Sequence, residues 1–216
     1  MDFDLARTNM VKSQLAPNRV RDPNLLGSLM EVPREAFVAV GQQDFAYSDM
    51  ALPLSQESSR KLLKPLQAAW MIEALEIKAG DRVLVAGAGR GYEVALLANM
   101  GVKVYALEAD AALADKGKEL ASGEDVQWHV GDPEEGLPDE APFDAILYCG
   151  ALSAMPGKAV GQLGLSGRLV VVIGTPGSPL MRAMRVRGIS GGDRAEPLFE
   201  TVVHPLVEAS KAAFVL

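Results

Sequence analysis

The chain is short of the residue types on which several kinds of chemistry depend. Its 216 residues include a single cysteine, Cys149, which excludes an internal disulfide and a cysteine metal cluster. Cys149 follows an expected strand and reads as a buried small hydrophobe rather than a nucleophile. There are two histidines. His129 falls inside an expected strand and His204 stands beside Pro205 near the tail, so both read as structural or exposed rather than catalytic. Basic clusters are scarce: 21 Lys and Arg face 28 Asp and Glu, for a net charge of −7. The densest basic group, Arg182, Arg185 and Arg187, reads as a solvated strand face, which leaves no basic stripe for a nucleic acid. No apolar run approaches the roughly 20 residues that cross a bilayer. Asp2, Asp4 and Arg7 deny the N-terminus the apolar core of a signal peptide. A cytoplasmic location is expected, without membrane or nucleic-acid partners. There are no internal repeats or low-complexity segments.

What the chain does have is concentrated in Val83 to Asp110, VLVAGAGRGYEVALLANMGVKVYALEAD. A β-branched, apolar run (Val83 to Ala86) meets three glycines, Gly87, Gly89 and Gly91. A helix is expected near Tyr92 to Met100, with Val94, Leu97 and Ala98 on one face and Gly101 at its C-cap. A second apolar run ends in Glu108. Strand, glycine turn, helix, strand and terminal acid describe a nucleotide-cofactor site at the edge of a parallel sheet. Glycines let a ligand approach the main chain, and the N–H groups opening the next helix favour an anionic group. The spacing is G-x-G-x-G with Tyr92 where a dinucleotide fingerprint wants glycine. That leans the loop toward S-adenosylmethionine (SAM) rather than NAD or FAD. Glu108 is placed to accept both ribose hydroxyls. The alternative reading is a structural glycine turn with a capping acid.

The rest of the chain divides in two. Residues 1–64 read as an N-terminal extension of helices and loops. Asp22-Pro23 starts a helix whose face is Leu25, Leu26, Leu29 and Met30 and which Val32-Pro33 ends. Ser48 to Lys64 reads as loop. Pro65 opens a helix with Leu66, Ala69 and Trp70 on one side. From Asp81 strands and helices alternate: a helix over Asp110 to Leu120, strands over Val126 to Val130 and Phe143 to Tyr148, a short helix near Lys158 to Leu163, and a buried strand over Arg168 to Ile173. Met181 to Val186 and Leu198 to Val203, flanking the turn-rich Gly188 to Asp193, read as an antiparallel hairpin. The fold class expected is α/β: a doubly wound, mostly parallel sheet of the SAM-methyltransferase type over residues 65–216, with a C-terminal antiparallel hairpin and the helical extension as part of one domain. Trp70 and Trp128 read as core.

The chain resembles the protein-L-isoaspartate O-methyltransferase family. The resemblance rests on VPREAFV (Val32 to Val38), FAYSDMALPL (Phe45 to Leu54), KPLQAAWMIEAL (Lys64 to Leu75), GAGRGYEVALLA (Gly87 to Ala98), GDPEEG (Gly131 to Gly136), APFDAIL (Ala141 to Leu147) and QLGLSGRLVVVIG (Gln162 to Gly174). It implies SAM-dependent methylation of the α-carboxylate of isoaspartyl residues in damaged protein or peptide substrates. By motif it implies that Gly87, Ala88, Gly89 and Gly91 line the methionine end of SAM, that Glu108 holds the ribose and that Asp132 contacts adenine. A bland reading of Asp132 stands beside this, since Gly-Asp-Pro is good turn chemistry. The mechanism needs no catalytic histidine, because a carboxylate is already ionised and can be held in line with the methyl group. Three positions depart from the family pattern. Leu63 replaces a serine whose hydroxyl serves the substrate carboxylate, with Lys64 and Ser59 as nearby substitutes. Val85 replaces an acid that helps bind the methionine ammonium. Arg90 stands where a small residue is usual, free to pair with the methionine carboxylate, point to solvent or fill the pocket. Two alternatives follow: a catalytically degenerate relative acting as a binding or regulatory protein, and a methyltransferase for a different carboxylate.

Overall fold

Two aspartates start the first helices. In a computed structural model that describes residues 1–56, 58–175, 177–188 and 194–206, Asp2 accepts from Leu5 N at 3.0 Å and opens α1 (Phe3–Asn9). Asp22 accepts from the Asn24 and Leu25 amides, with Pro23 in the first helical position of α2 (Pro23–Glu31), as Asp-Pro leads one to expect. Leu25 and Leu29 are buried and Leu26 and Met30 half-buried. Residues 48–64, expected as loop throughout, carry two short strands. β1 (Leu52–Pro53) pairs antiparallel with β2 (Lys61–Leu62), Leu52 opposite Leu62. Two residues are too few to show alternation in sequence, so only the tertiary pairing makes them strands. α3 (Pro65–Glu73) opens at Pro65.

The alternating region follows: β3 (Arg82–Ala86), α4 (Tyr92–Asn99), β4 (Lys103–Glu108), α5 (Ala111–Leu120), β5 (Val126–Val130), β6 (Phe143–Leu152), α6 (Gly157–Val160), β7 (Leu163–Ile173), β8 (Met181–Arg187) and β9 (Arg194–Thr201). The seven strands from β3 onward form one sheet in the order β5-β4-β3-β6-β7-β8-β9. Its first five strands run parallel, and β8 and β9 are antiparallel to their neighbours. β3 has β4 on one side and β6 on the other, so the sheet reverses its strand order there. Such a switch point leaves a crevice at the strands' carboxyl ends.

Side chains of β3 alternate between two cores. Val83 and Val85 face the N-terminal helices with Met10, Leu15, Leu25 and Leu29; Leu84 and Ala86 face Tyr105, Ile146, Tyr148 and Leu169. Both faces are buried, which explains the unbroken apolar runs.

Three expectations need correction. β6 continues to Leu152, because β7 offers partners for Ala151 and Leu152 beyond an irregularity in the ladder. The helix expected near Lys158 to Leu163 is a single turn, and β7 already begins at Leu163. The arginines of β8 are not merely solvated. Arg182 and Arg185 stand opposite Glu200 and Glu196, Arg185 bridges Glu196 at 2.6 Å, and Arg187 bridges Glu76 at 2.6 Å, as cross-strand charge pairing favours. Of the turn expected at Gly188 to Asp193, residues 189–193 lie outside the described residues. Among the described residues no helix is long and apolar enough to cross a membrane.

Candidate functional site

The crevice has two walls. The first is the carboxyl edge of β3 and β4. The Gly87 and Ala88 amides both donate to Leu107 O, at 2.8 and 3.1 Å, and Gly91 N donates to Ala88 O at 2.9 Å. This folds the loop tightly over β4. Gly87, Gly89 and Gly91 have φ of +74°, +56° and +88°, the left-handed region that other residues enter at a cost. Trp128, on β5, packs behind the loop: a Cβ on Gly91 would lie 3.0 Å from its ring. Glu108 is fully buried. One of its oxygens accepts from Gly89 N at 2.6 Å and the other from Asp110 N at 3.0 Å. The structure therefore brings Gly87, Ala88, Gly89, Gly91 and Glu108 together. Asp132 lies beside them, since Gly131 N donates to Glu108 O at 3.1 Å. Its carboxylate is exposed and accepts from Glu134 N at 2.9 Å, closing its own turn.

The second wall is the strap of residues 48–64, and arginines hold it. Arg34 is completely buried. Its Nε donates to Ala46 O at 2.7 Å and its Nη2 to Leu63 O at 2.6 Å, and its guanidinium lies 4.8 Å over the Tyr92 ring. Burial pushes the Tyr92 hydroxyl up to about 12, so it stays neutral. Arg60 reaches across the crevice, pairing with Glu108 and donating to Gly87 O at 2.8 Å. Arg90, for which three placements were open, is half-buried and tied to main chain, donating to Ala36 O and Leu54 O at 3.3 Å each. It lines a separate cavity of about 220 Å³ with Ser55, Ser58, Asp110 and Lys116. Leu63 and Val85 are buried and apolar.

Between the walls is a cavity of about 10 Å³ bounded by Leu54, Arg60, Leu63, Gly89, Glu93 and Cys149, among others. That is room for about one water, far below the roughly 300 Å³ of a small-molecule site. The chain's own side chains take up the remainder. A Cβ on Gly87 would meet Leu206 at 2.0 Å, and one on Gly89 would meet Leu54 at 2.8 Å. Burial pushes the Cys149 thiol well above its ordinary range, so it is neutral and unsuited to nucleophilic attack. His129 stacks on Tyr105 and the His204 carbonyl accepts from Ala151 N at 2.9 Å; neither lines the cavity. Glu93 does line it and is fully buried. Desolvation raises its pKa, partly offset by Arg34.

Arg34, Arg60 and Glu93 are the residues sequence reasoning missed. Glu93 carried a signal: it shares the i, i+3, i+4 stripe of Leu96 and Leu97, so a charge sits on a buried helix face. Arg34 lies inside VPREAFV, but its partners are 12 and 29 residues away. Arg60 carried none.

The family model described as protein-L-isoaspartate(D-aspartate) O-methyltransferase (PCMT) matches residues 6–205. The chain belongs to this family. Among similar PCMT proteins, the protein-L-isoaspartate O-methyltransferase of Methylorubrum extorquens (strain PA1) is 43% identical over 185 residues, covering 85% of this chain and 80% of that protein. The one from Roseiflexus sp. (strain RS-1) is 38% identical over 210 residues, covering 96% and 94%. A solved protein-L-isoaspartate O-methyltransferase superposes with TM-score 0.81 at 22% identity, over 92% of this chain and 65% of that one. The PCMT structure from Plasmodium falciparum, in complex with S-adenosyl-L-homocysteine, gives TM-score 0.77 at 16% identity, over 97% and 100%. At these identities the structural likeness is one of fold, and it extends through the helical extension and the C-terminal strands.

Proposed function

We propose that this PCMT chain is a SAM-dependent carboxyl methyltransferase that esterifies the α-carboxylate of isoaspartyl residues in damaged proteins. The observation that carries the reading is Glu108, buried at the switch-point end of β4 and bonded to the Gly89 amide. In this reading Gly87, Ala88, Gly89 and Gly91 line the methionine end of the cofactor, Glu108 takes the ribose hydroxyls and the Asp132 turn borders the adenine. Bound SAM supplies an activated methyl group. The protein's part is to bind, orient and exclude water. The acceptor carboxylate is already ionised, so no side chain has to remove a proton, and the neutral Cys149 and the outlying histidines raise no difficulty.

The residues fit the cofactor in chemistry. Three left-handed glycines expose main chain, Glu108 can accept two hydroxyls, and a buried Glu93 oxygen has no partner. The cleft is taken up by Arg60 on Glu108, Leu206 over Gly87 and Leu54 over Gly89. Incubation with labelled SAM and an isoaspartyl peptide tests the reading. Methyl incorporation that Gly89→Asp abolishes is expected; none at saturating SAM counts against it.

A second reading is favoured by the Arg60–Glu108 pair and the cavity of about 10 Å³: a family member that has filled its own cofactor cleft and acts as a binding or regulatory protein. Calorimetric titration with SAM separates the two. Micromolar binding that Gly89→Asp abolishes favours a real cofactor site, and no binding favours the filled cleft.

A further inference from the structure

Glu93 is the second residue of α4 and the only carboxylate among the described residues lining the cavity at the glycine loop. It is 1% exposed, and its Oε1 accepts no hydrogen bond. A buried carboxylate oxygen without a donor is costly, and the groups around it do not supply one. Arg60 is committed to Glu108 and Gly87 O. Arg34 is committed through Nε and Nη2, while its Nη1 is itself without a partner. The Tyr92 hydroxyl, on the same helix, is itself without a partner, Lys61 lines the same cavity without bonding this oxygen, and the Cys149 thiol, on β6, is only a weak donor. β3 contributes no acid near the cavity: it ends Val85-Ala86, both buried and apolar.

We propose that Glu93 is the receptor for the ammonium group of the cofactor's methionine moiety, reached from α4 rather than from β3. This rests on the SAM reading above. The unserved oxygen needs a hydrogen-bond donor, and of the two cationic groups at the methionine end only the ammonium has one, since a sulfonium carries no N–H. A carboxylate–ammonium hydrogen bond is among the stronger polar contacts available. Burial raises the Glu93 pKa, partly offset by Arg34. The arriving ammonium favours the ionised form and lowers that pKa, so binding shifts the group toward proton release.

The test is calorimetric titration of wild type and Glu93→Gln with S-adenosylhomocysteine and with methylthioadenosine, which has the same nucleoside but no amino-acid end. Each is run in two buffers of different ionisation enthalpy. Expected for wild type is proton release with S-adenosylhomocysteine and none with methylthioadenosine. Glu93→Gln is expected to abolish the release and weaken S-adenosylhomocysteine about 10- to 100-fold, leaving methylthioadenosine unchanged. Unaltered S-adenosylhomocysteine affinity in the variant overturns the proposal and leaves the cofactor reading standing. Equal weakening of both ligands makes Glu93 a structural residue paired with Arg34 and also overturns it. Wild type that binds neither ligand removes the cofactor reading and the proposal together. If Glu93→Gln does not fold, wild type is titrated with the deaminated analogue of S-adenosylhomocysteine. Weakened binding without proton release then supports the assignment, and undiminished affinity refutes it.

Discussion

The two walls of the crevice are built by different physics. The sheet wall, β3 through β4 with its glycine loop, is held mainly through the main chain: loop amides on Leu107 O and on the Glu108 carboxylate, and glycines in the left-handed region. The strap wall is held by guanidinium groups that bridge distant segments, Arg34 to residues 46 and 63 and Arg60 to residues 87 and 108. A wall hung on side chains can be released by exchanging one partner for another. Of this chain's three departures, Leu63 lies on the strap, Arg90 belongs to the glycine loop but bonds Leu54 O of the strap, and Val85 lies on β3.

The comparison can be broken most severely at Arg34. Arg34→Ala removes two charge-assisted bonds from a completely buried site and is expected to lower unfolding free energy by about 3–5 kcal/mol. Arg90→Ala, at a half-buried group with two 3.3 Å bonds, should cost less than about 1.5 kcal/mol. Parallel urea titrations check both, and equal losses would remove the distinction between the two arginines. On the other wall, Gly87→Ala forces a side chain to φ +74° and against Leu206. The left-handed strain alone is about 1–3 kcal/mol, read by the same titration; an unchanged midpoint would mean that the loop is freer than its hydrogen bonds imply.

Arg60→Ala sharpens the contrast in the opposite sense. Unfolding free energy should fall by about 1–3 kcal/mol as buried Glu108 loses its cation. SAM should bind several-fold more tightly, because Glu108 no longer has to be freed. Weaker SAM binding in this variant would make Arg60 a ligand-holding residue instead of an internal competitor.

The smallest effect lies far from the crevice. Arg187, helped by Arg185, holds the Glu76 carboxyl below its ordinary range. A depressed acid contributes stability above its unfolded pKa and loses it as pH falls through the folded one. Wild type should therefore lose slightly more stability than Glu76→Gln on acidification below the ordinary carboxylate range. The pair is half exposed, so the difference should be small and diminished by salt. Identical acid profiles of the two proteins would show that the cluster contributes nothing.

Much of this architecture was legible. Asp22-Pro23, Pro65, Gly101 and Asp110 mark helix ends through their own backbone chemistry, and the apolar runs of β3, β4 and β7 mark strands buried on both faces. What was not legible has a common cause. β1 and β2 exist only because Leu52 and Leu62 meet, β6 runs on because β7 offers partners, and the β8 arginines are paired only once β9 and Glu76 lie beside them. Asp132 was named for a cofactor role, and its position beside the Glu108 strand end agrees with the expected topology, but its carboxylate is engaged in its own turn.

The order of residues alone decided the elements that local rules govern: a glycine loop between a buried strand and a helix, an acid at the end of the next strand, and a family-wide set of motifs around them. Backbone sterics and hydrophobic periodicity act over a few residues, so they can be read along the chain. Only the folded molecule decided that Arg60 would span 48 residues to hold Glu108, that Leu206 would cover Gly87, and that Glu93 would be left with an unserved oxygen inside the crevice. Those outcomes depend on which side chains the topology brings to one place and on which charges must then be satisfied away from water, and no spacing in the chain encodes either.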